Sequence, residues 1–235
     1  MKKTACIVLL FLFSGISAQL SVHDLIVAAQ EKDSLKDYDE ALRLLGEALS
    51  ITHGNDTVLY LHSKVELEKN EYKAAIHDAD EAISHSHNYA EAYYIRGLVK
   101  AKTGNYEGAI SDLNKAIQLK PSFTKAWYNR GLSRAYMDEY EKAIADFTKA
   151  IELDPSYCNA WFNRGYWRDI NGDRQGAVED IKKAIELDPR NKEMHAELAV
   201  IYIELNQKEQ ACGEYQKAEG AGNERLAELM KDYCK

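Results

Sequence analysis

Proline, basic charge and long apolar segments are all scarce in this chain of 235 residues. The 3 prolines and 13 glycines exclude a proline- and glycine-rich linker protein. Lysine and arginine number 30 against 38 acidic residues, and the net charge of −8 disfavours nucleic acid or anionic lipid as a partner. After the amino-terminal segment, no stretch approaches the roughly 20 apolar residues of a membrane helix. Hydrophobic residues still make up 46% of the chain, which is enough for a sizeable core in one or two domains.

Motifs of the common enzyme classes are missing as well. The chain has no Gly-x-Ser-x-Gly elbow, no His-Glu-x-x-His zinc motif, no phosphate-binding glycine loop and no Cys-x-x-Cys pair. We therefore expect no catalytic residue, no cofactor and no metal. An enzyme without a recognisable motif ranks third, behind the two non-catalytic functions considered below.

The amino-terminal segment, residues 1–18, has the three-part layout of a secretory signal peptide. Lys2 and Lys3 precede an apolar run from Ala5 to Phe13, and small residues follow as far as Ala18. The pattern predicts cleavage after Ala18 and a soluble mature chain that begins at Gln19 in a secreted or periplasmic location. No cysteine stands just after the apolar run, so no lipid anchor is expected.

A strict internal repeat occupies most of the remaining chain. All three prolines lie 34 residues apart, and three glycines keep the same interval: Pro121, Pro155, Pro189, Gly97, Gly131, Gly165. Extending this period divides the chain into six windows without insertion, 22–55, 56–89, 90–123, 124–157, 158–191 and 192–225. Alanine occupies the twentieth position of every window (Ala41, Ala75, Ala109, Ala143, Ala177, Ala211) and the twenty-seventh (Ala48, Ala82, Ala116, Ala150, Ala184, Ala218).

Each window predicts a pair of antiparallel helices. Alanines with aliphatic neighbours recur at the spacing of one helix face, and their small side chains let helix axes approach closely. The proline near the end of a window closes its second helix, and turn residues such as Thr103-Gly104-Asn105 separate the two helices. One such hairpin cannot bury its apolar face alone, so the windows are expected to stack.

The window from 124 to 157 resembles the tetratricopeptide repeat. Its matching residues are Trp127-Tyr128-Asn129-Arg130-Gly131, Tyr140, Ala143, Phe147, Ala150 and Pro155, and the resemblance extends over 22–225. Windows 1, 2 and 6 depart from it, with His53, His87 and Asn223 at the proline position. The resemblance implies an all-α, right-handed superhelical solenoid of six repeats whose first helices line a concave groove. In that family the function is protein or peptide binding without chemistry.

The carboxy-terminal segment, 223–235, predicts a short amphipathic helix that caps the last repeat. Its apolar side chains are Leu226, Leu229, Met230 and Tyr233. Cys212, at an aliphatic position of the last repeat, and Cys234, on the cap, would form a disulfide in an exported protein. The alternative is two reduced thiols, and Cys158 is expected to be an unreactive thiol.

The family groove, carried over position by position, is expected along windows 3 to 6, and its candidate binding residues lie in windows 3 to 5: Tyr94, Leu98, Tyr128, Asn129, Leu132, Phe162, Asn163, Tyr166. The aromatic and aliphatic members predict an apolar strip that holds a partner segment, and the two asparagines would hydrogen-bond its backbone. An alternative is that the aromatic residues pack on neighbouring repeats. The lysine and asparagine set with which some relatives grip a terminal carboxylate is not present around Asn129 or Asn163.

A recurring arginine–aspartate pair and a group of three histidines can each be interpreted as structural or as ligand-binding. Arginine and aspartate recur at positions 7 and 23 of three windows (Arg96/Asp112, Arg130/Asp146, Arg164/Asp180), which favours a structural ion pair over a ligand site. His77, His85 and His87 are close in sequence, but their helical spacing does not make them converge on a metal. We expect them to be solvated.

Two functions remain open at this level. The first is an exported adaptor that holds a partner peptide or helix in the groove. The second is a structural envelope subunit that associates with itself through an edge or the convex face.

Overall fold

The computed structural model describes residues 20–218 and 224–234, and within them it contains thirteen α-helices and no β-strand. The prediction of an all-α repeat fold is confirmed. The predicted signal peptide, residues 1–18, lies outside the described residues, and so does the first residue of the predicted cap, Asn223. No helix in the described part of the chain is both long and apolar enough to cross a membrane.

The chain divides into two compact units, residues 1–95 and 96–235. In the first unit the described helices are α1 (Val22–Ser34), α2 (Tyr38–Thr52), α3 (Asp56–Glu68) and α4 (Tyr72–His85). The division falls inside α5 (Ala90–Lys102). The second unit continues with α6 (Tyr106–Leu119), α7 (Thr124–Ala135), α8 (Tyr140–Leu153), α9 (Cys158–Ile170), α10 (Arg174–Leu187), α11 (Lys192–Glu204), α12 (Lys208–Lys217) and α13 (Glu224–Tyr233).

The turn between the two helices of each window has the same backbone conformation six times. One residue with positive φ stands at the fifteenth position of every window: Lys36, Asn70, Gly104, Asp138, Gly172, Asn206. The next amide donates to the carbonyl five residues earlier, as in Asp37 to Lys32 (2.9 Å) and Glu139 to Arg134 (3.0 Å). This is the Schellman arrangement that satisfies the last carbonyls of a helix. The 34-residue period is thus present in the backbone as well as in the sequence.

Helix ends follow from the side chains at their boundaries. The side-chain oxygens of Asn105 and Asp173 accept hydrogen bonds from the backbone amides of Gly108 and Gly176, each at 2.9 Å. At the other end, α6, α8 and α10 stop two residues before the three prolines. The predicted closure of the second helix by proline is confirmed, because the proline ring and its missing N–H cannot continue the helix.

The two helices of a window pack through complementary sizes. Gly131 of α7 faces the ring of Phe147 on α8, and Gly165 of α9 faces Ile181 on α10. In the first unit, Ala29 and Leu45 belong to one buried cluster. A small residue at position 8 therefore makes room for the residue at position 24, and both become buried.

The cap, α13, packs on the last repeat of the second unit. Leu226 and Met230 are 4% and 1% exposed and join a core that includes Leu198 and Tyr202. Cys212 of α12 and Cys234 after α13 form a disulfide with their Cα atoms 5.7 Å apart. The side chain of Leu229 lies outside the described residues. Cys158 is a half-buried free thiol whose sulfur donates to the carbonyl of Ala184.

Candidate partner-binding surface

The recurrent arginines and aspartates form buried ion pairs that join the two helices of a repeat. Asp146 accepts two hydrogen bonds from Arg130, at 2.9 and 2.6 Å, and a third from Arg134 at 2.8 Å. Arg164 and Arg168 surround Asp180 in the same way, and Arg96 and Lys100 surround Asp112. The structural interpretation is confirmed, because these carboxylates are at most 6% exposed.

The arginines also connect successive repeats. Arg130 donates to Asn114 of the preceding window at 2.6 Å, and its guanidinium lies 4.6 Å from the ring centre of Trp127. Arg164 repeats both contacts, with Thr148 and with Trp161. These contacts hold α7 and α9 in place on the neighbouring helices, and α7 and α9 carry six of the predicted binding residues.

We define the first-helix face as the six predicted binding residues of α7 and α9: Tyr128, Asn129, Leu132, Phe162, Asn163 and Tyr166. All six are half-buried. Leu98, on the second-unit part of α5, is also half-buried, whereas Tyr94, in the first unit, is 8% exposed and belongs to the core. The amide of Asn163 donates to the hydroxyl of Tyr128 at 3.1 Å, so α7 and α9 meet along this face.

The aromatic rings at position 5 contribute to packing between repeats. The ring of Tyr128 lies 5.0 Å from that of Tyr157 and 5.7 Å from that of Phe147. Burial, followed by the nearby hydroxyls of Tyr157 and Tyr136, raises the pKa of Tyr128 above its usual range. Phe162 packs against the core beneath the last repeat. The parts of these rings that face outward remain as the candidate contact surface.

A second aromatic group lies beside this face, and of its five members only Tyr166 was among the predicted binding residues. This aromatic cluster consists of Tyr106, Tyr136, Tyr140, Tyr166 and Trp167. Tyr136 stacks on Tyr106 with ring centres 5.2 Å apart, and Tyr140 stacks on Trp167 at 5.5 Å. Tyr166 meets Trp167 edge-on at 5.1 Å. Tyr136 is 61% exposed, which makes it the most accessible large aromatic side chain of the described second unit.

Acidic side chains lie at the Tyr166 end of the first-helix face, where Glu197 and Asp169 interact electrostatically with the Tyr166 hydroxyl. This acidic cluster consists of Asp169, Glu193, Glu197 and Glu204. Arg174 pairs with Glu204 at 2.7 Å and lies 3.6 Å from Asp169. Glu197, by contrast, forms no hydrogen bond or ion pair with any residue that the structure describes. Its half-buried carboxylate therefore has no cation to neutralise it.

Because no cation neutralises it, the Glu197 carboxyl group keeps its proton to a higher pH than an ordinary glutamate does. Burial, followed by the negative charges of Asp169, Glu193 and Glu204, raises the pKa of Glu197 to about 7. Burial and Glu204 also raise the pKa of Asp169, and one oxygen of Asp169 is buried without a hydrogen-bond partner. The cluster is suited to a cationic group supplied from outside the chain.

The three histidines singled out in the sequence do not meet. His85 donates from its Nδ1 to the carbonyl of Gly54 at 2.9 Å, whereas the exposed ring of His77 lies 3.2 Å from Asp78. His87 is exposed. Among the described residues, no group of converging ligand atoms contains two of these three rings.

Family models for the tetratricopeptide repeat match three segments of the chain. One matches residues 124–157, one matches 97–137 and one matches 170–230. Together these segments cover more than half of the chain. No curated protein matches the chain significantly.

Solved structures with the same fold include MamA, which is 28% identical with a TM-score of 0.60 over 70% of this chain and 96% of its own. A tetratricopeptide repeat protein from Parabacteroides merdae ATCC 43184 is 22% identical, with a TM-score of 0.65 over 93% of this chain and 86% of its own. YrrB, described as a TPR protein with an unusual peptide-binding site, is 22% identical, with a TM-score of 0.57 over 80% of this chain and 92% of its own.

Proposed function

Because the chain belongs to the tetratricopeptide repeat family, we propose that it is an exported, non-catalytic scaffold that holds a segment of a partner protein. The segment lies on the first-helix face of the second unit, with a lysine or arginine against Glu197. The membership supports a protein-interaction function. YrrB, a protein of the same fold, has a peptide-binding site by its description.

The observation that carries the proposal is the half-buried carboxylate of Glu197 beside Tyr166. A carboxylate without a cation is costly to keep in such a position, and a guanidinium or ammonium group of a partner would remove that cost. The exposed ring of Tyr136 and the partly exposed ring of Tyr166 offer apolar contact, and aromatic faces also attract cations. We therefore expect the bound segment to combine basic and apolar side chains.

Export is supported by two independent features. The amino-terminal sequence has the layout of a signal peptide. The disulfide between Cys212 and Cys234 is of a kind that persists mainly in oxidising compartments. Mass measurement of the protein recovered from the extracytoplasmic fraction tests export, since the expected mature chain begins at Gln19. Recovery of the intact chain from the cytoplasm alone would contradict it.

The binding site is tested by crosslinking from the native extracytoplasmic fraction with two variants of equal charge change. Glu197→Lys places a cation at the proposed subsite. Glu179→Lys, on the exposed side of α10, makes the same change at a side chain that forms no hydrogen bond or ion pair with the described residues. We expect a partner that crosslinks to the wild type and to the Glu179→Lys variant but not to the Glu197→Lys variant, through a peptide that contains lysine or arginine.

Other outcomes decide against the proposal. Circular dichroism would confirm that each protein is folded. Equal capture of the partner by all three folded proteins would then contradict binding at Glu197. Crosslinks between copies of this chain alone would instead support a self-associating structural subunit.

A further inference from the structure

The second window departs from the ion-pair pattern of its neighbours. In windows 3 to 5, positions 7, 11 and 23 hold two cations around one buried carboxylate, as in Arg96, Lys100 and Asp112. The same three positions of window 2 hold His62, Glu66 and Asp78, which we call the His62 cluster. One cation has become an acid, so two carboxylates here face a single imidazole.

The three side chains of the His62 cluster converge between α3 and α4, inside the first unit. The Nδ1 atom of His62 lies 2.6 Å from Asp78 Oδ2 and 3.4 Å from Glu66 Oε1. One potential ligand atom from each side chain lies within 4.8 Å of the others. The side chains are 18%, 6% and 14% exposed for His62, Glu66 and Asp78.

Glu66 is the member that the chain itself does not satisfy. The whole residue is only 5% exposed, and its Oε2 atom has no hydrogen-bond partner. A buried carboxylate oxygen without a partner costs on the order of several kcal/mol unless a ligand or proton occupies the space beside it. The position is aligned with Lys100 and Arg134, whose charges satisfy the corresponding aspartates in the next two windows.

From this geometry we propose that His62, Glu66 and Asp78 bind one divalent transition-metal ion of the zinc class. An imidazole nitrogen and carboxylate oxygens are ligands that such ions accept. Metal–ligand bonds of about 2.0–2.1 Å in a tetrahedral site place ligand atoms about 3.3 Å apart, close to the His62–Glu66 separation. The double positive charge of the ion balances the two negative charges of the carboxylates. In windows 3 to 5, two cationic side chains supply that positive charge to a single carboxylate.

Binding requires His62 to release a proton. Burial lowers the pKa of His62, but the hydrogen bonds to Asp78 and Glu66 outweigh it and raise that pKa to about 9. The metal displaces this proton to solvent and takes its place between the carboxylates. Without a metal, the cluster is a histidine ion pair that leaves Glu66 Oε2 unsatisfied, and this is the competing interpretation.

A second histidine lies outside the buried cluster and provides a matched control. His77 is 76% exposed and approaches the other carboxylate oxygen of Asp78, Oδ1, at 3.2 Å. With Asp78 and Glu81 it forms a separate, exposed group of possible ligands. Replacing His77 distinguishes metal binding at this surface group from binding at the His62 cluster.

The test uses the purified protein without a polyhistidine tag, treated with a chelator and titrated with Zn²⁺ and with Co²⁺. We expect one ion per chain and visible absorption from bound Co²⁺. Glu66→Gln should weaken Zn²⁺ affinity by more than about tenfold, since loss of an outer-shell group alone typically costs about 10–100-fold. Glu66→Lys, which restores the pattern of window 3, should abolish binding while thermal stability is retained. His77→Asn, which removes only an exposed contact of Asp78, should weaken affinity less than Glu66→Gln does.

Three results would overturn the assignment. They are the absence of stoichiometric binding by the wild type, unchanged affinity in folded Glu66→Gln and Glu66→Lys variants, and loss of binding in His77→Asn with Glu66→Gln unaffected. The first would leave the His62 cluster as an ion pair. The last would place the ion at the exposed group.

Discussion

Gly131 lies directly against the ring of Phe147, and a Cβ atom at Gly131 would stand 2.8 Å from Phe147 Cε1. Phe147 is fully buried, so its ring has no space into which it can move. The contact joins the first and second helices of the fourth window. Glycine is needed at this position because of the close approach of two helices, whereas the backbone itself is ordinary helix.

Gly131→Ala should therefore be destabilising when it is compared with Gly46→Ala. Gly46 is also inside a helix, but a Cβ there would meet nothing within 4 Å. The gain in helix propensity is common to both changes, and overpacking at Gly131 costs about 1–3 kcal/mol. Urea unfolding of the two variants measures the difference. Equal free energies of unfolding would show that Phe147 adapts without cost.

Asp146→Ala should destabilise the protein by about 3–5 kcal/mol, because it leaves Arg130 and Arg134 without the buried carboxylate that they share. Glu152→Ala is the matched control, since Glu152 pairs with Lys149 on an exposed helix surface. We expect the control to change the free energy of unfolding by at most about 0.5 kcal/mol. Similar losses in the two variants would contradict a structural role for the buried pairs.

Removal of the disulfide by Cys212→Ser with Cys234→Ser should lower stability by about 3 kcal/mol, as expected for a loop of this length. The loss should be local at first, with faster hydrogen exchange in α13. Cys158→Ser, which removes the free thiol, should leave exchange in α13 unchanged. Unaltered protection of α13 in the double variant would mean that Leu226 and Met230 hold the cap without the disulfide.

Stability should fall as pH rises from about 4.5 to about 7, because Glu197 binds its proton more tightly when folded. Burial, followed by the neighbouring acids, raises its pKa to about 7. Proton binding by Glu197 therefore stabilises the folded chain at low pH, and this stabilisation is lost as pH rises through that range. Glu197→Gln should remove this fall and stabilise the protein at pH 8 by about 1–2 kcal/mol, allowing for solvent screening.

Denaturant unfolding at a series of pH values measures this effect. Glu179→Gln, at an exposed position with no hydrogen bond or ion pair to the described residues, should keep the wild-type pH dependence. A Glu197→Gln variant with the same slope as the wild type would show that Glu197 is well solvated, and the reason for a cationic partner at this position would be lost.

The helical repeat could be predicted because it depends on local rules. Proline ends a helix by its own covalent structure, and alanines at a fixed spacing mark a close-packed helix face whatever the neighbouring repeat contains. The turns show the limit of that reasoning. The six residues with positive φ include lysine, aspartate, asparagine and glycine, so the conformation follows from the Schellman closure of the helix more than from residue type.

The candidate binding residues were only partly accessible to sequence reasoning. The position of Tyr128 on a first helix follows from the repeat, but its packing against Tyr157 and its bond with Asn163 depend on how two repeats meet. Tyr136 was missed because its position is not among those of the family groove. Its exposure and its stacking on Tyr106 are properties of neighbouring windows together.

The period of 34 residues, read from the amino acids alone, was sufficient for the fold class, the helix pairs and the ion pairs between them. Proximity in sequence drew attention to His77, His85 and His87, which do not converge. His62, Glu66 and Asp78 are separated by four and twelve residues, and they meet because α3 packs against α4. Tertiary packing decides such sites, since burial and the loss of a counter-charge arise only when side chains from different helices face each other.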